Sequence, residues 1–164
     1  EKPTIRYYSK EHEDLAFTGI EIFKKNPVSG SGIKNFYNSC KKLQKLGIKF
    51  YLDNNYNFQR QNYLTCSTHP HSTYVQILSD IGFFGFLIIS FIFFNILYRI
   101  FKIIINQSKI TSELSGYYFL NIGIIINLLP LVPAGSFFNN WISFMIFYPL
   151  GYWLYLHSRF KDHI

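Results

Sequence analysis

Two histidines and a cysteine crowd into seven residues, Cys66-Ser67-Thr68-His69-Pro70-His71-Ser72, a short way ahead of Asp80-Ile81-Gly82-Phe83-Phe84-Gly85 and a long apolar run. Imidazole is the side chain whose ordinary charge change falls near neutral pH, so it can take a proton from a hydroxyl group there. A thiolate with imidazoles can instead ligate zinc, and Cys66, His69 and His71 with His12 form a candidate set for that alternative. Ionisable groups gathered at the mouth of an apolar segment point to chemistry or binding at a membrane surface.

The elements that must hold these residues are helical. After Pro70 the chain is expected to form a helix near 70–80, with His71 in its first turn and Tyr74, Val75, Ile77 and Leu78 on its apolar side. Gly82 and Gly85, about one turn apart, leave a notch that admits another helix. Upstream, residues 9–25 read as an amphipathic helix. Ser9 is its N-cap, Glu11, Glu13 and Asp14 occupy the first turn, and Lys24 and Lys25 the last, all in keeping with the helix dipole. Asn26-Pro27 stops it, and a second, basic helix is expected near 36–47. The Gly-x-Gly turn of Pro27-Val28-Ser29-Gly30-Ser31-Gly32 can bring backbone N–H groups to an anion. Residues 51–63 read as a loop of hydroxyls, amides and flat rings, surface chemistry that suits sugars.

Charge is segregated along the 164 residues. Residues 1–80 hold eleven Lys/Arg against seven Asp/Glu, a net +4 that favours anionic ligands and lipid heads, whereas residues 81–156 hold only Arg99, Lys102, Lys109 and Glu113. Three apolar runs follow, about 81–105, 116–134 and 137–156, and each approaches the ~20 residues a helix needs to cross hydrocarbon. The expected fold class is therefore all-α and integral to a membrane: a periplasmic helical loop over 1–80, three transmembrane helices, and a short tail.

Lys/Arg bias puts the connection carrying Arg99, Lys102 and Lys109, and the tail with Arg159 and Lys161, on the cytoplasmic side of a bacterial inner membrane. Tyr148, Tyr152, Trp153 and Tyr155 read as the inner aromatic belt and Trp141 as the outer one. Residues 1–80 then lie outside, and because the chain opens on Glu1 without a signal pattern, an upstream segment is expected to carry them there. Cys40 and Cys66, both external, would oxidise to a disulfide in that compartment; two free thiols are the alternative.

At this point the chain resembles the bacterial O-antigen ligases and the related Wzy-type O-antigen polymerases. The ligase signature is His, then Asn/Ser/Gln, nine residues, Gly, two residues, and Gly/Thr/Tyr; here it reads His71-Ser72, nine residues, Gly82, Phe83-Phe84, Gly85. Pro27, Gly30 and Gly32 resemble the family's Pro-x-x-Gly-x-Gly segment, and the resemblance covers about residues 10–156. It implies a metal-independent membrane glycosyltransferase without a cofactor. Such an enzyme moves a glycan from undecaprenyl pyrophosphate to a sugar hydroxyl, on the lipid A core for a ligase or on a growing glycan for a polymerase. The resemblance implies His71 as the base and arginines as the pyrophosphate grip. The external arginines here are Arg6 and Arg60; where many relatives carry an arginine before the Pro-x-x-Gly-x-Gly segment, this chain has His12. His69 either orients His71, binds donor, or is an interfacial histidine. Nucleic acid is not an expected partner. The rival classes are a zinc-binding membrane protein and a transporter; for the latter, Pro130 and Pro133 break the second apolar run near its outer end beside Asn139 and Asn140.

Overall fold

The structure is a computed structural model, and it describes residues 9–47, 49–50, 62–106, 112–130 and 133–160. These residues form six helices and one two-residue antiparallel pairing: α1 Lys10–Lys25, α2 Phe36–Lys45, β1 Lys49–Phe50, β2 Asn62–Tyr63, α3 Thr73–Ile81, α4 Phe83–Asn106, α5 Ser112–Asn127 and α6 Asn140–Phe160. Lys49 pairs with Tyr63 and Phe50 with Asn62. The chain divides into two units, one of residues 1–86 and 131–138, the other of residues 87–130 and 139–164.

In the first unit, α1 starts at Ser9, whose extended backbone and side chain cap the His12 N–H, and acids at its first turn face lysines at its last. Leu15, Thr18, Gly19 and Ile22 share its buried face, at the three- and four-residue spacing of a helix stripe. On α2 the same rule brings Phe36, Cys40 and Leu43 inward. With Leu64 these residues make the core of the unit, and Phe17 and Cys66 pack against it. Gly19 lets α3 come close, since a Cβ there would overlap the Val75 side chain. The strand exit is held by Gln44, whose Nε2 donates to the Leu64 carbonyl at 2.6 Å, and by the Thr18 hydroxyl on the Thr65 carbonyl at 3.3 Å.

Cys40 and Cys66 are joined by a disulfide that closes 26 positions of chain, with Cα atoms 5.6 Å apart. It ties α2 to the segment that leads into His69 and His71. In the chain-entropy view a loop of that size contributes about 3–4 kcal/mol. Cys40→Ser should therefore lower the unfolding midpoint of the purified protein in detergent. A reductant should lower the parent to a similar level and leave the variant unmoved, which a thermal scan with and without reductant reads directly.

The second unit is assembled from α4 beyond its first turn, α5 and α6. Asn121 and Trp153, both buried, are joined by a 2.7 Å bond from the indole N–H to the amide oxygen. Arg99 donates to Asn95 at 2.9 Å and its guanidinium lies 5.9 Å from the Trp153 ring. Trp153 packs inside this unit, where its one polar atom finds a helix partner, as buried indoles require.

Among the described residues one helix is long and apolar enough to cross a membrane, over Phe83–Lys102. Leu87, Ile88, Phe91, Phe94, Tyr98 and Phe101 stand exposed along it, a distribution that a water-facing helix would not carry. The run expected at 116–134 is helical only to Asn127, as a 16-residue α5. The run expected at 137–156 becomes the 21-residue α6, long enough, but with Pro149 inside it and polar or aromatic residues that lower its mean hydropathy.

Candidate functional site

Pro70 does not open the helix that follows. Ser72 takes the N-cap position with extended backbone, its carbonyl accepting the Gln76 N–H at 2.9 Å, so α3 begins at Thr73. His71 is therefore not in the first turn of the helix but just outside it. Its φ is 54°, a left-handed conformation uncommon outside glycine, although histidine, like asparagine and aspartate, adopts it more often than most. That conformation is held from far along the chain, by the Ala134 N–H donating to the His71 carbonyl at 2.9 Å.

The ring of His71 meets two others. His69 lies 4.2 Å away between centroids, and His12, from the first turn of α1, approaches edge-on at 5.4 Å. His12 pairs through Nδ1 with the Ser9 hydroxyl, and His69 through Nδ1 with the Thr68 hydroxyl at 2.9 Å. The remaining ring nitrogen of His69, Nε2, is buried and meets no partner among the described residues. Burial, and then the neighbouring His71, lower the proton affinity of His69 below the ordinary imidazole value. The cluster thus holds a neutral imidazole against a second ring, beside an unsatisfied buried nitrogen that a ligand hydroxyl or phosphate oxygen would complete.

The glycines of both motifs converge at the other end of α3, about 13 Å from Thr73 by helix rise. Gly82, with φ 83°, ends α3 by donating to the Ile77 and Leu78 carbonyls, each at 3.1 Å. It packs directly on the 27–32 turn. A Cβ on Gly82 would lie 2.6 Å from the Gly30 nitrogen and closer still to the Val28 carbonyl, and one on Gly30 would strike the Asp80 backbone. The Ser31 and Gly32 N–H groups donate to the Ser79 and Asp80 carbonyls at 2.8 and 2.9 Å, and Phe83 donates to the Pro27 carbonyl at 2.8 Å. The Ser31 and Gly32 amides are therefore occupied by α3 and that of Gly30 by the Asn26 carbonyl, so the turn does not cradle an anion. The notch at Gly85 is likewise filled from within, by the Ile77 and Ile81 side chains.

Two buried polar residues of α3 join these loci: Asp80, which the sequence offers only as the start of the glycine motif, and Gln76, to which it assigns no role. Gln76 donates through Nε2 to the Ser136 hydroxyl at 3.0 Å and accepts the Phe137 N–H at 2.8 Å. Asp80, only 1% exposed, accepts at Oδ2 from the Lys34 N–H at 3.3 Å and from Gln76 at 3.4 Å. The one available signal was an acid and an amide, a turn apart, on a short amphipathic segment. Arg6 and Arg60 lie outside the described residues. Cys40 and Cys66 have their sulfurs in the disulfide, and no group of three His, Cys, Asp or Glu among the described residues is arranged to hold a metal.

Burial raises the Asp80 carboxyl from its ordinary 3.8 to about 6, against the opposing bonds from Gln76, Lys34 and Ser79. The folded state then binds a proton that the unfolded state releases, so stability falls as pH rises from about 4 to about 6 and stays lower above it. Two pH units correspond to about 3 kcal/mol. Asp80→Asn should flatten that slope and raise the unfolding midpoint at pH 7, while leaving it little changed at pH 4.5; scans at both values check it.

A family model described as O-Antigen ligase matches residues 13–90, the stretch that holds α1, the glycine turn, the histidine cluster and the start of α4. No curated protein and no solved structure matches the chain.

Proposed function

We propose, on the premise that residues 13–90 carry an O-antigen ligase family domain, that this chain is the histidine-bearing part of a bacterial membrane glycosyltransferase. The donor is a glycan on undecaprenyl pyrophosphate and the acceptor a sugar hydroxyl on the lipid A core. In this reading α4, α5 and α6 all run in the inner membrane, residues 1–80 are periplasmic, and the tail is cytoplasmic. The exposed aromatic and aliphatic residues of α4 support the first of these spans most directly.

The observation that carries the proposal is the arrangement around His71. A ring set on a fixed, left-handed backbone beside a neutral imidazole is a preorganised proton acceptor. The His71 imidazole takes the proton of the acceptor hydroxyl, and the oxygen forms its bond to the anomeric carbon. The bond from that carbon to the pyrophosphate breaks, and undecaprenyl pyrophosphate departs with the electron pair. The leaving group is already a good one, so the chemistry asks for proton removal and charge stabilisation and not for a nucleotide. The ring contact of His12 and the unpartnered Nε2 of His69 support these two as hydrogen-bond partners of donor or acceptor oxygens. Arg6 and Arg60 are proposed as pyrophosphate contacts on charge alone.

The test is complementation. The full-length gene is expressed in cells that lack their own ligase, and lipopolysaccharide is resolved on gels. Glycan-capped lipid A core supports ligation. Absence of capping with a change in polymer length overturns ligation in favour of the polymerase reading, which the same active-site chemistry serves with a different acceptor.

A further inference from the structure

The turn at residues 27–34 is built into the junction where α3 ends and the apolar run of α4 begins. Phe83, the first residue of the membrane-length stretch Phe83–Lys102, donates its N–H to the Pro27 carbonyl at 2.8 Å, and Gly82 packs on Val28 and Gly30. A loop bonded to the first residue of a span has no freedom to leave the level at which that span enters the bilayer. Yet this loop turns its large apolar side chains outward: Val28 is 62% exposed and Ile33 59%, beside Phe83 at 48% and Phe84 at 63%. Lys34, exposed and also left-handed at φ 59°, directly follows Ile33, and residues 26–36 contain no acid. Apolar tips flanked by a cation, at the end of a span, match the boundary between acyl chains and phosphate headgroups.

We propose that residues 27–34 form a membrane foot, with Val28 and Ile33 seated in the outer acyl boundary of a phospholipid bilayer and Lys34 at its headgroup phosphates. This rests on the reading that α4 spans the membrane. Because the foot and the C-terminal end of α3 are locked backbone to backbone, its seating also fixes where α3 stands at the bilayer, and with it the end that carries His71.

The foot is tested by single cysteines at Val28, Ile33, Asn38 and Phe91, placed in the full chain with its disulfide intact. Each is labelled with an environment-sensitive fluorophore and reconstituted into phosphatidylcholine–phosphatidylglycerol vesicles. Nitroxide lipids labelled at shallow or deep acyl positions, and aqueous iodide, then report depth. The expected result is a blue shift, shallow-nitroxide quenching and loss of iodide quenching at Val28 and Ile33. Phe91, mid-α4, should be quenched by the deep label, and Asn38, exposed on α2, by iodide. Iodide quenching of Val28 and Ile33 with Phe91 still deep overturns the foot while the span stands. Iodide quenching of Phe91 itself overturns the span and the foot with it.

Discussion

His71→Ala and His71→Asn should each lower glycan transfer by about a hundredfold or more, the contribution expected of a positioned general base. The pair separates chemistry from backbone strain. Alanine at a φ of 54° carries a left-handed penalty of about 1–2 kcal/mol, whereas asparagine tolerates that region well. If His71 is the base, both variants are inactive, and only the alanine form loses thermal stability. A His71→Asn protein that is stable, inserted and still capping lipid A core would remove His71 from the mechanism. His69→Ala serves as the comparison. It deletes the ring 4.2 Å from His71 and should lower transfer by less than His71→Asn does, at equal insertion.

The largest stability effect is expected at Gly82→Ala. Two costs coincide there: a positive φ of 83°, and a methyl group driven against the Val28 carbonyl and the Gly30 nitrogen, neither of which can move as a side chain would. Together they amount to about 3–5 kcal/mol, enough to abolish folding of a marginal protein. Gly30→Ala strikes the same junction from the other side, at the Asp80 backbone. The double variant should therefore lose less than the sum of the singles, because the first substitution has already separated the two segments. Full additivity in unfolding midpoints would show that the glycines act independently and that the junction is not one unit.

That junction gives the spacing between the histidine and the glycines of the signature a physical meaning. The nine residues between Ser72 and Gly82 are α3 itself, so the motif states the length of a strut with the site at one end and the backbone lock at the other. The helical class was legible because stripes such as Leu15, Gly19 and Ile22 follow helix periodicity, and the family resemblance was legible because its signature is local. What was not legible depends on contacts between distant positions. His12 reaches His71 across 59 positions of sequence, and the Ser31 and Gly32 amides, free in the local sequence, are taken by α3. Placing His71 in a helical turn followed from Pro70 read alone; the extended backbone of Ser72 at the N-cap position and the bond from Ala134 decide otherwise. The apolar count alone suggested three spans, and among the described residues one helix has by itself the length and apolarity of a span.

The bonds from residues 134–137 also set an order of assembly. His71 leaves the ribosome long before Ala134, Ser136 and Phe137, the residues that pin its carbonyl and engage Gln76. Both α4 and α5 have to be synthesised before that clasp can close. During synthesis, then, the His71 imidazole lacks its final pose until the clasp arrives, and a chain released before residue 134 would never acquire it.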